Sequence, residues 1–134
     1  MAVTEETAVP LHSPPRLVLC EDDAVMQRWC LRLAADAGVE VVGATSRWAE
    51  ALELVVDHEA DAVLIDIATV GRLGIRLIRA VRRLAPACEI LVLSPFRGVD
   101  LAAIEAGAGA IADPSDPRPV AAALKRLAGA GSMS

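Results

Sequence analysis

The stretch Asp61-Ala-Val-Leu-Ile-Asp-Ile67 decides how this chain folds. Its nearly continuous apolar run is typical of a strand that is buried on both faces, as in a parallel sheet covered by helices. The run delivers an acid, Asp66, at its carboxyl end. Sites in open parallel sheets form beyond the carboxyl ends of the strands, so Asp66 is a candidate functional residue.

The same alternation of strand and helix extends to both sides of this stretch. Apolar runs predict five strands, over 16–20, 39–44, 61–67, 89–93 and 109–112. Apolar residues at helical spacing predict five helices, over 24–37, 47–58, 75–84, 99–106 and from Asp116 onward, and Ser46 is the predicted N-cap of the second. Five strands alternating with five helices indicate an α/β fold, a parallel sheet with helices on both faces. We expect a flexible arm over 1–15, one domain over 16–128 and a tail over 129–134.

Composition excludes several classes of protein. The chain has 134 residues, 54% of them hydrophobic, which suits one domain with a substantial core. Its apolar runs fall far short of the roughly 18 residues of a membrane span, and the N-terminus lacks the pattern of a secretory signal, so we expect a cytoplasmic protein. A net charge of −5 and 2% aromatic residues disfavour nucleic-acid binding. Cys20, Cys30 and Cys88 lack metal or disulfide spacing and are predicted to be core residues.

Polar residues follow three of the predicted strands. Glu21 and Asp22 end the first, Asp66 ends the third, and Ser94 ends the fourth. Converging carboxylates repel one another unless a cation joins them, and Mg²⁺ prefers such oxygen ligands. A carboxylate in this setting is a candidate nucleophile toward a phosphoryl group. The alternative is that the acids from Glu21 to Asp23 only cap the first helix.

Four stretches in order resemble the receiver domain of bacterial two-component response regulators. They are Leu-Val-Leu-Cys-Glu21-Asp22-Asp23, Ala-Val-Leu-Ile-Asp66-Ile, Ile-Leu-Val-Leu-Ser94 and Ala-Ile-Ala-Asp113-Pro114. The resemblance implies a flavodoxin-like fold with strand order 2-1-3-4-5.

The resemblance also implies roles for individual residues. Asp66 would be the phosphoacceptor and Ser94 the switch hydroxyl. Mg²⁺ would be held by Asp22, Asp66 and the Ala68 carbonyl, with Glu21 acting through water. A histidine kinase or a histidine phosphotransfer protein would supply the phosphoryl group in a self-catalysed transfer rather than an ordinary turnover reaction. Signalling would pass to a downstream protein partner, without nucleic acid or membrane, and homodimerisation is left open.

Several positions depart from the family pattern, among them Asp113 and Ala110. Asp113 stands where the family has lysine, and Ala110 stands where it has an aromatic switch residue. An anion in place of a cation opposes the phosphoryl group, so a phosphorylation-independent interaction module is the alternative function. A metal-dependent phosphohydrolase would need a further general acid or base, which the sequence does not offer. Five arginines over 72–83 are interpreted either as a solvated face or as a docking surface for an acidic partner.

Overall fold

Five parallel strands form one sheet in the order β2-β1-β3-β4-β5. The computed structural model describes residues 13–67, 73–95 and 97–133. The strands are β1 (Arg16–Cys20), β2 (Glu40–Thr45), β3 (Ala62–Asp66), β4 (Glu89–Leu93) and β5 (Ala110–Ala112), and the helices are α1 (Ala24–Ala37), α2 (Trp48–Asp57), α3 (Leu73–Leu84), α4 (Arg97–Ala106) and α5 (Arg118–Met133). The predicted α/β class and strand order are confirmed.

Two hydrophobic cores lie on the two faces of the sheet. Along β3, Val63 and Ile65 join the core under α2, α3 and α4, whereas Ala62 and Leu64 join the core under α1 and α5. Every residue of β3 is buried, because helices cover both faces of this central strand. The sheet therefore fixes the position of Asp66 from both sides.

Helix α1 begins directly after the acidic segment that follows β1. Asp23 is its N-cap, and the Asp23 carboxylate accepts a hydrogen bond from the Met26 backbone N–H at 2.8 Å. The helix ends at Gly38, whose φ of 81° is the left-handed conformation that glycine adopts at low cost. Glu21 and Asp22 therefore lie between the end of β1 and the start of α1, at the edge of the sheet.

Helix α2 begins one residue later than the sequence predicts. Its N-cap is Arg47, which makes no side-chain capping bond, so the prediction of Ser46 as N-cap is wrong. The Thr45 hydroxyl accepts the Arg47 backbone N–H at 3.1 Å instead. A side-chain hydroxyl therefore does accept a backbone N–H at this turn, but it belongs to Thr45 and not to Ser46.

The chain termini also differ from expectation. Within the predicted arm, Pro15 is buried and its carbonyl accepts the Glu40 N–H at 2.9 Å, while residues 1–12 lie outside the described part. Helix α5 continues through the predicted tail to Met133, because its alanine-rich sequence favours helix despite the glycines. No helix over the described ranges has the length and apolarity to cross a membrane.

Candidate functional site

The strand register aligns four predicted site residues along one edge of the sheet. Cys20 pairs with Ile65, so Glu21 is level with Asp66. Asp66 in turn pairs with Leu93, and Leu93 pairs with Ala112. The next residues, Ser94 and Asp113, therefore extend the same edge by one position, and the Ser94 N–H donates to the Ala112 carbonyl at 2.9 Å.

These polar side chains differ sharply in burial. Glu21 is 1% exposed, Asp66 7% and Ser94 5%, in a part of the molecule otherwise built from apolar side chains. Asp22 and Asp113 are exposed. Burying an ionised carboxylate is costly unless charges or hydrogen bonds compensate it, so two such groups at one edge mark a site with a function beyond packing.

Glu21 is held by three hydrogen bonds. Its backbone N–H donates to the Thr45 carbonyl at 2.8 Å, its carboxylate accepts the Asp23 N–H at 3.0 Å, and its carbonyl accepts the Gln27 amide at 3.2 Å. Asp23 therefore caps α1, as the capping alternative expects, whereas the Glu21 carboxylate contacts the backbone just before the helix. Sequence reasoning missed both partners, since Thr45 lies just beyond the predicted second strand and Gln27 lies inside the predicted first helix.

The negative charges of the site carboxylates raise the pKa of nearby thiols. Burial, followed by the negative charges of Glu21, Asp66 and Asp22, raises the pKa of the Cys20 thiol to about 12. Burial and the charges of Glu21 and Asp66 likewise raise the pKa of Cys30 to about 12. The site is thus a region of concentrated negative charge, which favours a cation. The three cysteines are free and buried, as predicted.

The donor set suits an open magnesium site rather than a closed metal cage. No three His, Cys, Asp or Glu side chains of the described ranges form a group that would hold a metal ion by themselves. Mg²⁺ in proteins commonly uses one or two carboxylates and keeps waters or phosphate oxygens as its other ligands. The hard oxygens of Asp22 and Asp66 fit this mode. Ala68, the predicted carbonyl ligand, lies outside the described residues.

Asp113 makes hydrogen bonds within its own turn. Its carboxylate accepts hydrogen bonds from the Ser115 N–H at 2.9 Å and the Ser115 hydroxyl at 2.8 Å, and its carbonyl accepts the Asp116 N–H at 2.8 Å. The peptide bond to Pro114 is trans. These contacts hold a negative charge at the end of the sheet where the resemblance leads one to expect a lysine.

A groove of about 550 Å³ lies beside Ser94 and Asp113. It is lined mainly by small residues of and around β5, including Ala110, and by Ile104 of α4, which is 57% exposed. An alanine at position 110 leaves space that a larger side chain would fill. The change that was expected to alter switching therefore also opens the surface between α4 and β5.

Comparison with known proteins identifies the family. The model of the response regulator receiver domain matches residues 17–124, so the chain belongs to the response regulator receiver domain family. Receiver domains generally bind Mg²⁺ at their acidic site and interact with histidine kinases and downstream partners.

Two curated relatives and a solved structure illustrate the similarity. The chain is 32% identical over 114 residues to the chemotaxis protein CheY of Thermotoga maritima, a match covering 82% of this chain and 95% of CheY. It is 33% identical over 101 residues to the transcriptional regulatory protein PdtaR of Mycobacterium tuberculosis, covering 74% of this chain but only 48% of PdtaR. A CheY-like receiver domain protein from Methanospirillum hungatei shares the fold, with a TM-score of 0.75, 20% identity and coverage of 90% and 98%.

Proposed function

We propose that this receiver domain accepts a phosphoryl group on Asp66 from a histidine kinase or a histidine phosphotransfer protein and signals by protein contact in a phosphorelay. The observation that carries the proposal is the 7% exposed carboxylate of Asp66 at the end of the central strand, level with buried Glu21. A structural role alone would not place two acids there, because their burial destabilises the fold.

The chemistry follows from the placement of the side chains. A carboxylate oxygen of Asp66 attacks the phosphorus, and the phosphorus–nitrogen bond to the donor histidine breaks, with the electron pair returning to the imidazole. The Ser94 hydroxyl, one step along the edge, donates a hydrogen bond to the transferred group. Asp22 and Asp66, with Glu21 acting through water, would hold Mg²⁺, which would supply positive charge toward the phosphoryl oxygens. The three buried cysteines form no disulfide with one another, which suits a compartment that keeps thiols reduced, such as the cytoplasm.

A specific observation favours a second candidate function. Asp113 holds a negative charge beside Ser94, where a cation would pair with the phosphoryl group. A receiver domain so altered is a candidate for an interaction module that signals without phosphate.

Intact-mass measurement separates the two functions. The protein is incubated with a small-molecule phosphodonor and Mg²⁺, alongside Asp66→Asn and the exposed-acid control Asp36→Asn. A gain of one phosphoryl group in the wild type and in Asp36→Asn, absent in Asp66→Asn, supports the phosphoacceptor. No gain by a folded wild-type protein overturns it and favours the interaction module.

A further inference from the structure

Two helices that lie side by side on one face of the sheet carry stripes of opposite charge. Each stripe has three members spaced three and then four residues apart, so its members lie along one side of the helix. The acidic stripe of α2 comprises Glu50, Glu53 and Asp57, the basic stripe of α3 comprises Arg76, Arg79 and Arg83, and all six side chains are exposed.

Both stripes face away from the sheet. The buried side of α2 is formed by Ala51 and Val55, and that of α3 by Leu77, Ile78 and Val81. At about 100° of rotation per residue, each stripe lies on the opposite side of its helix from these buried residues. The α2–α3 face therefore presents an acidic row beside a basic row to the surroundings.

The charges of this face are available to a partner. Among the described residues, none of these six side chains forms an ion pair. The clustering of three arginines on one helix stands out because the chain as a whole has a net charge of −5. An acidic surface of a partner would pair with them.

An apolar groove of about 410 Å³ lies at the carboxyl-terminal ends of the same two helices. Val56 of α2 and Leu84 of α3 line it and are 46% and 56% exposed. Because both helix ends line one groove, α2 and α3 end at the same height on the sheet. Each acid also precedes an arginine by 26 positions (50 and 76, 53 and 79, 57 and 83). Because the helices end at the same height, each acid lies at about the height of the corresponding arginine.

We propose that a second copy of this chain docks on the α2–α3 face. The twofold axis runs parallel to the helices and between them, so that α2 of each copy faces α3 of the other. The acidic stripe of each copy then lies opposite the basic stripe of the other, at the same height along the helices. The twofold symmetry creates this contact twice.

The charge pattern selects this arrangement over the alternative. A twofold axis perpendicular to the helices would place α2 on α2 and α3 on α3, which sets like charges against each other. In the parallel arrangement Val56 and Leu84 of both copies lie at the same end of the interface, where they add apolar contact beside the charged rows.

Charge-reversal variants test the pairing in sedimentation velocity at low ionic strength. Glu53→Arg alone and Arg79→Glu alone each create two repulsive contacts across the axis, so each weakens self-association roughly tenfold or more. Mixing the two variants restores attraction at both contacts, and a heterodimer forms. Arg126→Glu, on the exposed side of α5 across the sheet, is the matched control and associates as the wild type does.

Three outcomes overturn the proposal. They are a wild type that stays monomeric at millimolar concentration, association that both reversals leave unchanged, and variants that remain folded by circular dichroism but fail to associate when mixed. The protein is unphosphorylated throughout, so the result is independent of the proposed phosphoacceptor function. Rising salt should weaken the wild-type dimer, because exposed charges are screened.

Discussion

Asp113 sets the electrostatic balance at the end of the site. Its carboxylate is held by Ser115 in an exposed turn, next to buried Ser94. A phosphoryl group on Asp66 would bring further negative charge to the same edge of the sheet. On the proposed function, the negative charge of Asp113 would therefore oppose phosphoryl occupancy, and its effect should be graded by charge.

Replacement of Asp113 tests this balance. We expect Asp113→Lys to raise phosphoryl occupancy at a fixed phosphodonor concentration roughly tenfold, since a repulsive charge becomes attractive, with solvent limiting the effect. Asp113→Asn should give an intermediate rise, because it removes the anion and supplies no cation. Intact mass over time measures both. Equal occupancy in all three proteins would mean that the charge at this position does not influence Asp66.

Arg82 connects elements that are distant in sequence. Its guanidinium donates to the Pro86 carbonyl and to the Gly107 carbonyl, both at 2.8 Å. The first bond holds the turn after α3, and the second satisfies a carbonyl at the end of α4. Of the arginines over 72–83, this one is therefore structural, whereas Arg79 and Arg83 are exposed.

Removal of the guanidinium should loosen the contact between α3 and α4. We expect Arg82→Ala to lower the free energy of unfolding by about 1–3 kcal/mol, the usual cost of losing charge-assisted hydrogen bonds. Arg83→Ala, the adjacent exposed arginine, should change it by less than about 0.5 kcal/mol. Urea unfolding at low protein concentration measures both. A similar loss in the two variants would argue against a specific role for Arg82.

The elements show which features a sequence predicts and which it does not. Strand β3 and the position of Asp66 follow from a local apolar run, so they could be predicted. The role of Arg82 depends on a carbonyl 25 residues away, which no local pattern encodes. The start of α2 could not be predicted, because Ser46 has the side chain of a typical N-cap, yet the helix begins after Arg47, whose N–H donates to the Thr45 hydroxyl.

Metal binding should stabilise the whole molecule. A cation that binds only the folded site adds about 1.4 kcal/mol to the free energy of unfolding at ten times its dissociation constant. We expect Mg²⁺ to raise the urea midpoint relative to EDTA in the wild type and in Asp36→Asn. Asp22→Asn should abolish the difference, and should be the more stable protein in EDTA because one repulsive charge is gone. An unchanged magnesium effect in Asp22→Asn would exclude that carboxylate as a ligand.

The three thiols make the whole fold sensitive to alkali. Burial, the largest cause in each case, raises the pKa of Cys20, Cys30 and Cys88 from 9.0 to about 12. Between these values the unfolded chain releases protons that the folded chain retains. Stability is therefore complete below pH 9 and falls as the pH rises from 9 toward 12. The sequence contains no tyrosine and a single lysine, Lys125, so few other groups titrate in this range.

Each thiol contributes a similar amount to this loss of stability at high pH. At pH 10 the unfolded chain gains about 1.4 kcal/mol per cysteine, or about 4 kcal/mol in all, relative to neutral pH. Urea unfolding under reducing conditions at pH 8 and pH 10 measures this difference. Cys88→Ala should be less stable at both pH values, because it leaves a cavity, yet its pH difference should be smaller by about a third. An undiminished difference would show that the Cys88 thiol ionises as readily in the folded protein as in the unfolded chain.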